Sequence, residues 1–241
     1  MQTVIAQDLG VMDYAQAWEY QTALHRDLIA CKLRLRERPD PSYQPDHRLL
    51  FVEHPHVFTL GKSGSAEHLL LSEAELKARD VSYYPINRGG DITYHGPGQL
   101  VGYPILDLDY FFNDIHRYVR YVEETVIRTL ADYGIRGERL QGYTGVWVSD
   151  GQGAWGKVCA IGVHLSRWVT LHGFAFNVNT DLRYFDFIVP CGIADRDKYV
   201  VSIQRLLGRP LPLAEVRDGL SAHFAEVFGC RLITQKEAQV S

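Results

Sequence analysis

The sequence has little of what marks the common function classes. Its four cysteines, Cys31, Cys159, Cys191 and Cys230, are scattered and form no C-x-x-C pair. That spacing indicates neither a zinc site nor a disulfide framework, and it fits a reducing compartment. No apolar run approaches the roughly 18 residues that a membrane span needs. The first residues, MQTVIAQDLGVMDYAQ, have no basic n-region and no apolar h-region, so they do not read as a signal peptide. A net charge of −4 gives no field to draw in nucleic acid. Internal repeats and low-complexity linkers are also missing. These absences lead to the expectation of a cytoplasmic protein with no membrane and no nucleic-acid partner. With 46% hydrophobic residues, 241 residues suffice for one well-packed domain, read here as 1–241.

Periodicity places the elements. Asp13 is a candidate N-cap for a helix over 13–37, with Ala17, Trp18, Leu24, Leu28 and Cys31 at helical spacing. RERPDPSYQPDHR (36–48) is a proline-rich surface connection. LLFVEH (49–54) and VFTLG (57–61) read as strands, and SEAELKARD (72–80) as a short helix with a Ser-x-x-Glu capping box. Residues 113–134 form the clearest amphipathic helix, ended by Gly134. Strand candidates at 145–149, 157–165 and 168–179 suggest a meander, and 213–229 is a last amphipathic helix. Helices and strands mix without regular βαβ alternation. The expected class is α+β, a mixed sheet flanked by helices.

What the sequence does have is concentrated chemistry. RGGDITYHGPGQL (88–100) packs four glycines, Arg88, Asp91 and His95 into thirteen residues. Gly89-Gly90 permits positive φ or close backbone approach, and Gly96-Pro97-Gly98 is a second turn. DITYH between them can be a short strand with Tyr94 and His95 on opposite faces. The stretch matches neither the dinucleotide fingerprint nor the phosphate loop. On composition alone it is a hairpin or the wall of a binding site. Cys191 lies between Pro190 and Gly192. It is a turn cysteine or a nucleophile on a tight turn; the second role needs a nearby cation to raise the thiolate fraction. Lys157, His95 and His164 are candidates for that cation or for a base, and His164 and His172 could lie on the surface of the meander.

In combination the segments are more specific. HPHVFTLGKSG, RGGDITYHGPGQLVGYPILDL, GKVCAIGVH, HGFAFNVNTDL and VPCGI follow one another in this order. The set resembles the lipoyl(octanoyl) transferase family over about residues 10 to 230. The resemblance implies a fold similar to the catalytic domain of biotin and lipoate protein ligases. It implies transfer of an octanoyl group from octanoyl-acyl carrier protein to a lysine of a lipoyl-accepting domain, the first step of protein lipoylation from endogenous octanoate. Cys191 would be the acyl-thioester nucleophile, and Lys157 would lower its pKa. Arg88, Gly89, Gly90, Asp91, Ile92, Thr93, Tyr94, His95, Ala160, Ile161, Gly162, Gly173, Phe174 and Ala175 would line the acyl site. The implied acceptors are lipoyl domains of 2-oxoacid dehydrogenase E2 subunits and the glycine cleavage H protein. No cofactor and no metal is implied, since a thioester is already activated, and a monomer is expected. The alternative is an ATP-dependent lipoate- or biotin-type ligase of the same fold, which would not need Cys191. Glycines at 89–90, 162 and 173 are expected to leave room for an acyl chain, and Arg88 or Lys198 to help dock an acidic partner.

Overall fold

A computed structural model describes residues 1–189 and 197–238. From the N-terminus the chain runs through β1 (Thr3–Val11), α1 (Tyr14–Glu37), β2 (His47–Glu53), β3 (Val57–Leu60), α2 (Glu73–Ala78), β4 (Ser82–Pro85), β5 (Ile92–His95) and β6 (Gln99–Ile105). It continues with α3 (Ile115–Asp132), β7 (Val146–Ser149), β8 (Trp155–Ser166), β9 (Val169–Asn177) and β10 (Lys198–Val200). It finishes with α4 (Ile203–Leu207), α5 (Leu213–Phe228), β11 (Arg231–Thr234) and α6 (Gln235–Ala238).

Most of these elements were expected. Asp13 caps α1 by accepting from the backbone N–H groups of Ala15 and Gln16. Ser72 and Glu75 close the capping box of α2. β7, β8 and β9 form the antiparallel meander. The strands β1, β4, β10 and β11 were not expected. β1 lacks a clean alternation, with Gln7, Asp8 and Gly10 breaking its second half. The others have only three or four residues, too few for a period.

The main sheet runs β10-β8-β9-β6-β2-β1-β11, with β7 also on β8. β1 is parallel to β2 and β11, while β2, β6, β9 and β8 pair antiparallel, so the sheet is mixed as expected. α3 and α5 cover one face, where Tyr118, Val122, Val126, Leu220 and Phe224 pack on Leu49, Phe51, Leu100 and Phe176. α1 covers part of the other face through Ala17 and Leu28, against Leu50, Val52, Ile105 and Leu171. Burial of those two apolar stripes is what holds the layers together. A second sheet, β4-β3-β5, stands beside the first. It carries the glycine-rich loop between β4 and β5 over the uncovered part of the main sheet. No helix among the described residues is long and apolar enough to cross a membrane.

Candidate active site

The glycine-rich loop is fixed by its own backbone. Gly61, Lys62 and Ser63 donate their N–H groups to the carbonyls of Asp91, Arg88 and Gly90 at 3.2, 3.0 and 3.1 Å. Gly90 adopts φ +87°, a conformation that only glycine takes at no cost. Gly89 donates to the carbonyl of Val163 at 3.0 Å, which ties the loop to β8. Arg88 lies beneath it, 8% exposed. Its Nη2 donates to the carbonyl and hydroxyl oxygens of Thr59 at 2.7 and 3.0 Å. Asp91 accepts from the Ile92 N–H at 2.7 Å through Oδ1, and its Oδ2 lies 2.6 Å from His68 Nδ1.

Loop and sheet enclose a cavity of about 500 Å³. Its walls include 88–93, His95, 160–162, 173–175 and Lys157, together with Tyr14, Gln99, Val101, Tyr103, 142–144, Val163, His172 and Asn177. So the sequence-predicted pocket residues come together, with two exceptions. Tyr94 faces the opposite side of β5, stacked on Tyr184 at 4.8 Å with its hydroxyl 2.7 Å from His56 Nδ1. It has no place in the cavity wall because alternation on a strand that turns His95 inward must turn Tyr94 outward. Cys191 lies outside the described residues.

Lys157 reaches the cavity through a β-bulge. Val146 pairs with Cys159, but Trp147 pairs with Lys157, so β8 spends one extra residue there. Ala160 and Gly162 line the cavity, and simple alternation would have continued that face to Val158. The bulge puts Val158 into the core and Lys157 on the cavity side. Lys157 Nζ lies over the Trp147 ring, 4.6 Å from its centre. The preceding GQGAWGK (151–157) has the G-x-x-x-x-G-K spacing of a phosphate loop. Val158 stands where that loop needs Ser or Thr, and the segment is a hairpin between β7 and β8, not a strand-to-helix turn.

The β6 side of the cavity is polar but uncharged. Gln99 Nε2 donates to the Tyr94 carbonyl and to Asn177 Oδ1 at 3.2 and 2.9 Å, which leaves its Oε1 as acceptor for His95 Nδ1 at 2.8 Å. His54 Nδ1 donates to the Met12 carbonyl, and its Nε2 accepts from the Tyr103 hydroxyl, both at 2.8 Å. Burial pushes His95 down to about 3 and His54 to about 4, so both imidazoles are neutral. His172, for which the sequence left a surface place open, is 1% exposed and also lowered to about 3 by burial. Its φ of +62° lies within the unbroken strand β9, a strained conformation for a residue with a side chain. Its Nε2 meets Asn87 Oδ1 at 2.7 Å. His164 is half-buried against His25 and does not reach the cavity.

Other expectations need correction. A Cβ at Gly162 would sit 2.9 Å from both Arg88 Cδ and the Gly89 carbonyl. One at Gly173 would strike the Gly102 carbonyl and lie 2.8 Å from Pro104 Cδ. These glycines admit protein backbone and side chain, not an acyl chain. Arg88 is buried under the loop, and the Lys198 side chain is 8% exposed, over the Tyr143 ring at 4.7 Å and 3.1 Å from Asp197. Neither offers a docking charge on the surface. The sequence reading missed Gln99, Val101 and Tyr103. Their spacing of two along β6 was the available signal. Among the described residues no cluster of His, Cys, Asp and Glu could hold a metal ion.

Comparison with known proteins supplies the family. The profile of the lipoyl protein ligase A/B catalytic domain matches residues 13–225. An octanoyltransferase of Cytophaga hutchinsonii is 56% identical over 228 residues, 94% of this chain and 93% of the relative. One from Christiangramia forsetii is 54% identical, covering 95% and 97%. Among solved structures, a bi-partite lipoate protein ligase from Thermoplasma acidophilum superposes with a TM-score of 0.69 at 19% identity, covering 100% and 91%. A lipoate-protein ligase A bound with ATP gives 0.66 at 17%, covering 99% and 92%; at such identities these two speak for the fold alone. With its octanoyltransferase relatives, the chain belongs to the lipoyl protein ligase A/B catalytic-domain family and is an acyltransferase.

Proposed function

We propose that the chain moves an octanoyl group from octanoyl-acyl carrier protein to a lysine of a lipoyl-accepting domain by way of a thioester on Cys191. The observation that carries this reading is one cavity of about 500 Å³ bounded by Lys157, the glycine loop and the apolar surfaces of Val101, Ile161, Phe174 and Ala175. The described chain resumes at Asp197, whose carbonyl accepts from the Trp155 N–H at 2.8 Å, two residues before Lys157. In the first step the Cys191 thiolate attacks the thioester carbonyl. The donor's C–S bond breaks, and the acyl carrier protein leaves as a thiolate that takes up a proton. In the second step the acceptor amine attacks the Cys191 thioester. An amide forms, the amine gives up a proton and the Cys191 thiolate returns. Lys157 as an ammonium stabilises the thiolate, and a drop of two units in the thiol pKa is worth about 2.7 kcal/mol. Both steps exchange activated acyl groups, so neither needs ATP.

Lipoyl domains of 2-oxoacid dehydrogenase E2 subunits and the glycine cleavage H protein are the acceptors in this reading, and the enzyme acts as a monomer in the cytoplasm. The test is an intact mass after mixing with octanoyl-acyl carrier protein. A gain of one octanoyl group, absent from Cys191→Ala, is expected. An unmodified wild-type mass under the same conditions, with pyrophosphate release once ATP and octanoate are supplied, would replace it with the ligase reading.

A further inference from the structure

We propose that Trp147 is a positioning residue that holds Lys157 as an ammonium ion, so that Lys157 first serves the reaction as a cation. The inference rests on the Cys191–Lys157 reading and decides between the two protonation roles open to Lys157, thiolate stabiliser and base. Trp147 is fully buried. It pairs with Lys157 across β7 and β8, directly at the bulge that turns Lys157 into the cavity. Its ring lies under Lys157 Nζ at 4.6 Å. Its backbone is bonded both ways to Glu138, at 2.9 and 2.8 Å, so the ring has a fixed base. Tyr143 meets the indole edge-on at 5.6 Å and 70°, and itself carries Lys198 Nζ over its face at 4.7 Å. Both lysines on this side of the cavity therefore rest on aromatic faces.

An aromatic face is negative and attracts a cation; a neutral amine gains little from it. The contact thus favours the ammonium over the amine, and more strongly where water is excluded. A lysine built to act first as a base would be better served by an aliphatic neighbour, which lowers its pKa by desolvation alone.

The test compares Trp147→Leu with Trp147→Phe, each first shown to be folded by its melting transition. Octanoyl loading, followed by rapid mixing and intact mass, should slow about tenfold in Trp147→Leu and about threefold in Trp147→Phe. The half-saturating donor concentration should stay the same. In a Lys157→Ala background the Leu substitution should change the residual rate less than about twofold. An equal loss in both backgrounds would show that Trp147 acts through structure and would overturn the proposal. Should Trp147→Leu not fold, unchanged loading in Trp147→Phe overturns it. A second readout needs no acyl transfer: labelling by limiting acetic anhydride at fixed pH, which only the neutral amine undergoes. Lys157 should label faster in Trp147→Leu, with the exposed Lys77 as internal reference for reagent; an unchanged ratio contradicts the proposal. If wild type takes no octanoyl group on Cys191 the transfer reading fails, while the labelling ratio still decides what Trp147 does.

Discussion

The two sides of the cavity solve opposite electrostatic problems. On the β6 side, His54 and His95 are buried, hydrogen-bonded in single tautomers and held neutral far below their ordinary 6.5. On the β8 side, Lys157 and Lys198 rest on the faces of Trp147 and Tyr143, which suit a positive charge. Arg88 directs its guanidinium into Thr59 and the Gly89 carbonyl, where it braces the loop. The contrast teaches where proton chemistry belongs. Groups that burial keeps neutral bound one side of the cavity, and the side that suits a positive charge is where the proposed mechanism needs its thiolate stabilised.

Acidification should break the neutral side first. His54, His95 and His172 have folded pKa values of about 4, 3 and 3, below the unfolded 6.5. Between those values the unfolded chain binds more protons, so no penalty exists above pH 6.5 and stability falls as pH drops toward 4. At pH 5 the loss is about 2 kcal/mol for each imidazole, a large share of a typical total of about 5–15 kcal/mol. Urea unfolding at pH 7.5 and pH 5 measures it, and equal midpoints would show that these histidines are not held neutral. Next in size is Lys157→Ala on the charged side. Octanoyl loading should slow about 100-fold or more, with little change in melting temperature. A rate within threefold of wild type would remove Lys157 from the chemistry.

The sequence revealed the two sides unequally. The helices α1, α3 and α5 and the meander were legible because their apolar periods run for many residues. The glycine loop was legible because special residues crowd it. Lys157 was one of three candidates for the cation until resemblance to a family singled it out: its inward aim depends on a bulge between β7 and β8, and alternation from Ala160 and Gly162 points to Val158 instead. The place of His172 was left open for a related reason. A positive φ inside β9 turns its side chain against the strand's own period, and no local residue pattern announces that. Gly162 and Gly173 showed that something approaches closely, but not whether it is ligand or protein.

The loop that roofs both sides gives a smaller effect. Gly90 sits at φ +87°, and its Cβ would meet only Arg88 Nη1, at 3.4 Å. Gly90→Val forces a strained conformation costing about 1–3 kcal/mol. Because the loop roofs the cavity, loading should fall about tenfold while the chain stays folded at 25 °C. Normal loading would reduce the loop to a hairpin.

The smallest effect belongs to Tyr94, next to His95 in sequence yet outside the cavity. Its hydroxyl meets His56 Nδ1 at 2.7 Å, and its ring stacks on Tyr184 and packs against Phe58 and Phe185. Tyr94→Phe keeps the ring and removes one hydrogen bond, a loss of about 1 kcal/mol. His56 Nδ1 is left without that partner but is half-exposed, so water can replace it. The thermal midpoint should fall by about 2–4 °C, a typical shift for 1 kcal/mol in a domain of this size. Octanoyl loading should stay within about twofold of wild type, since no atom of Tyr94 lines the cavity. A tenfold drop in loading at unchanged stability would mean that the β5 strand transmits across its two faces, and that the cavity boundary drawn between Tyr94 and His95 is in the wrong place.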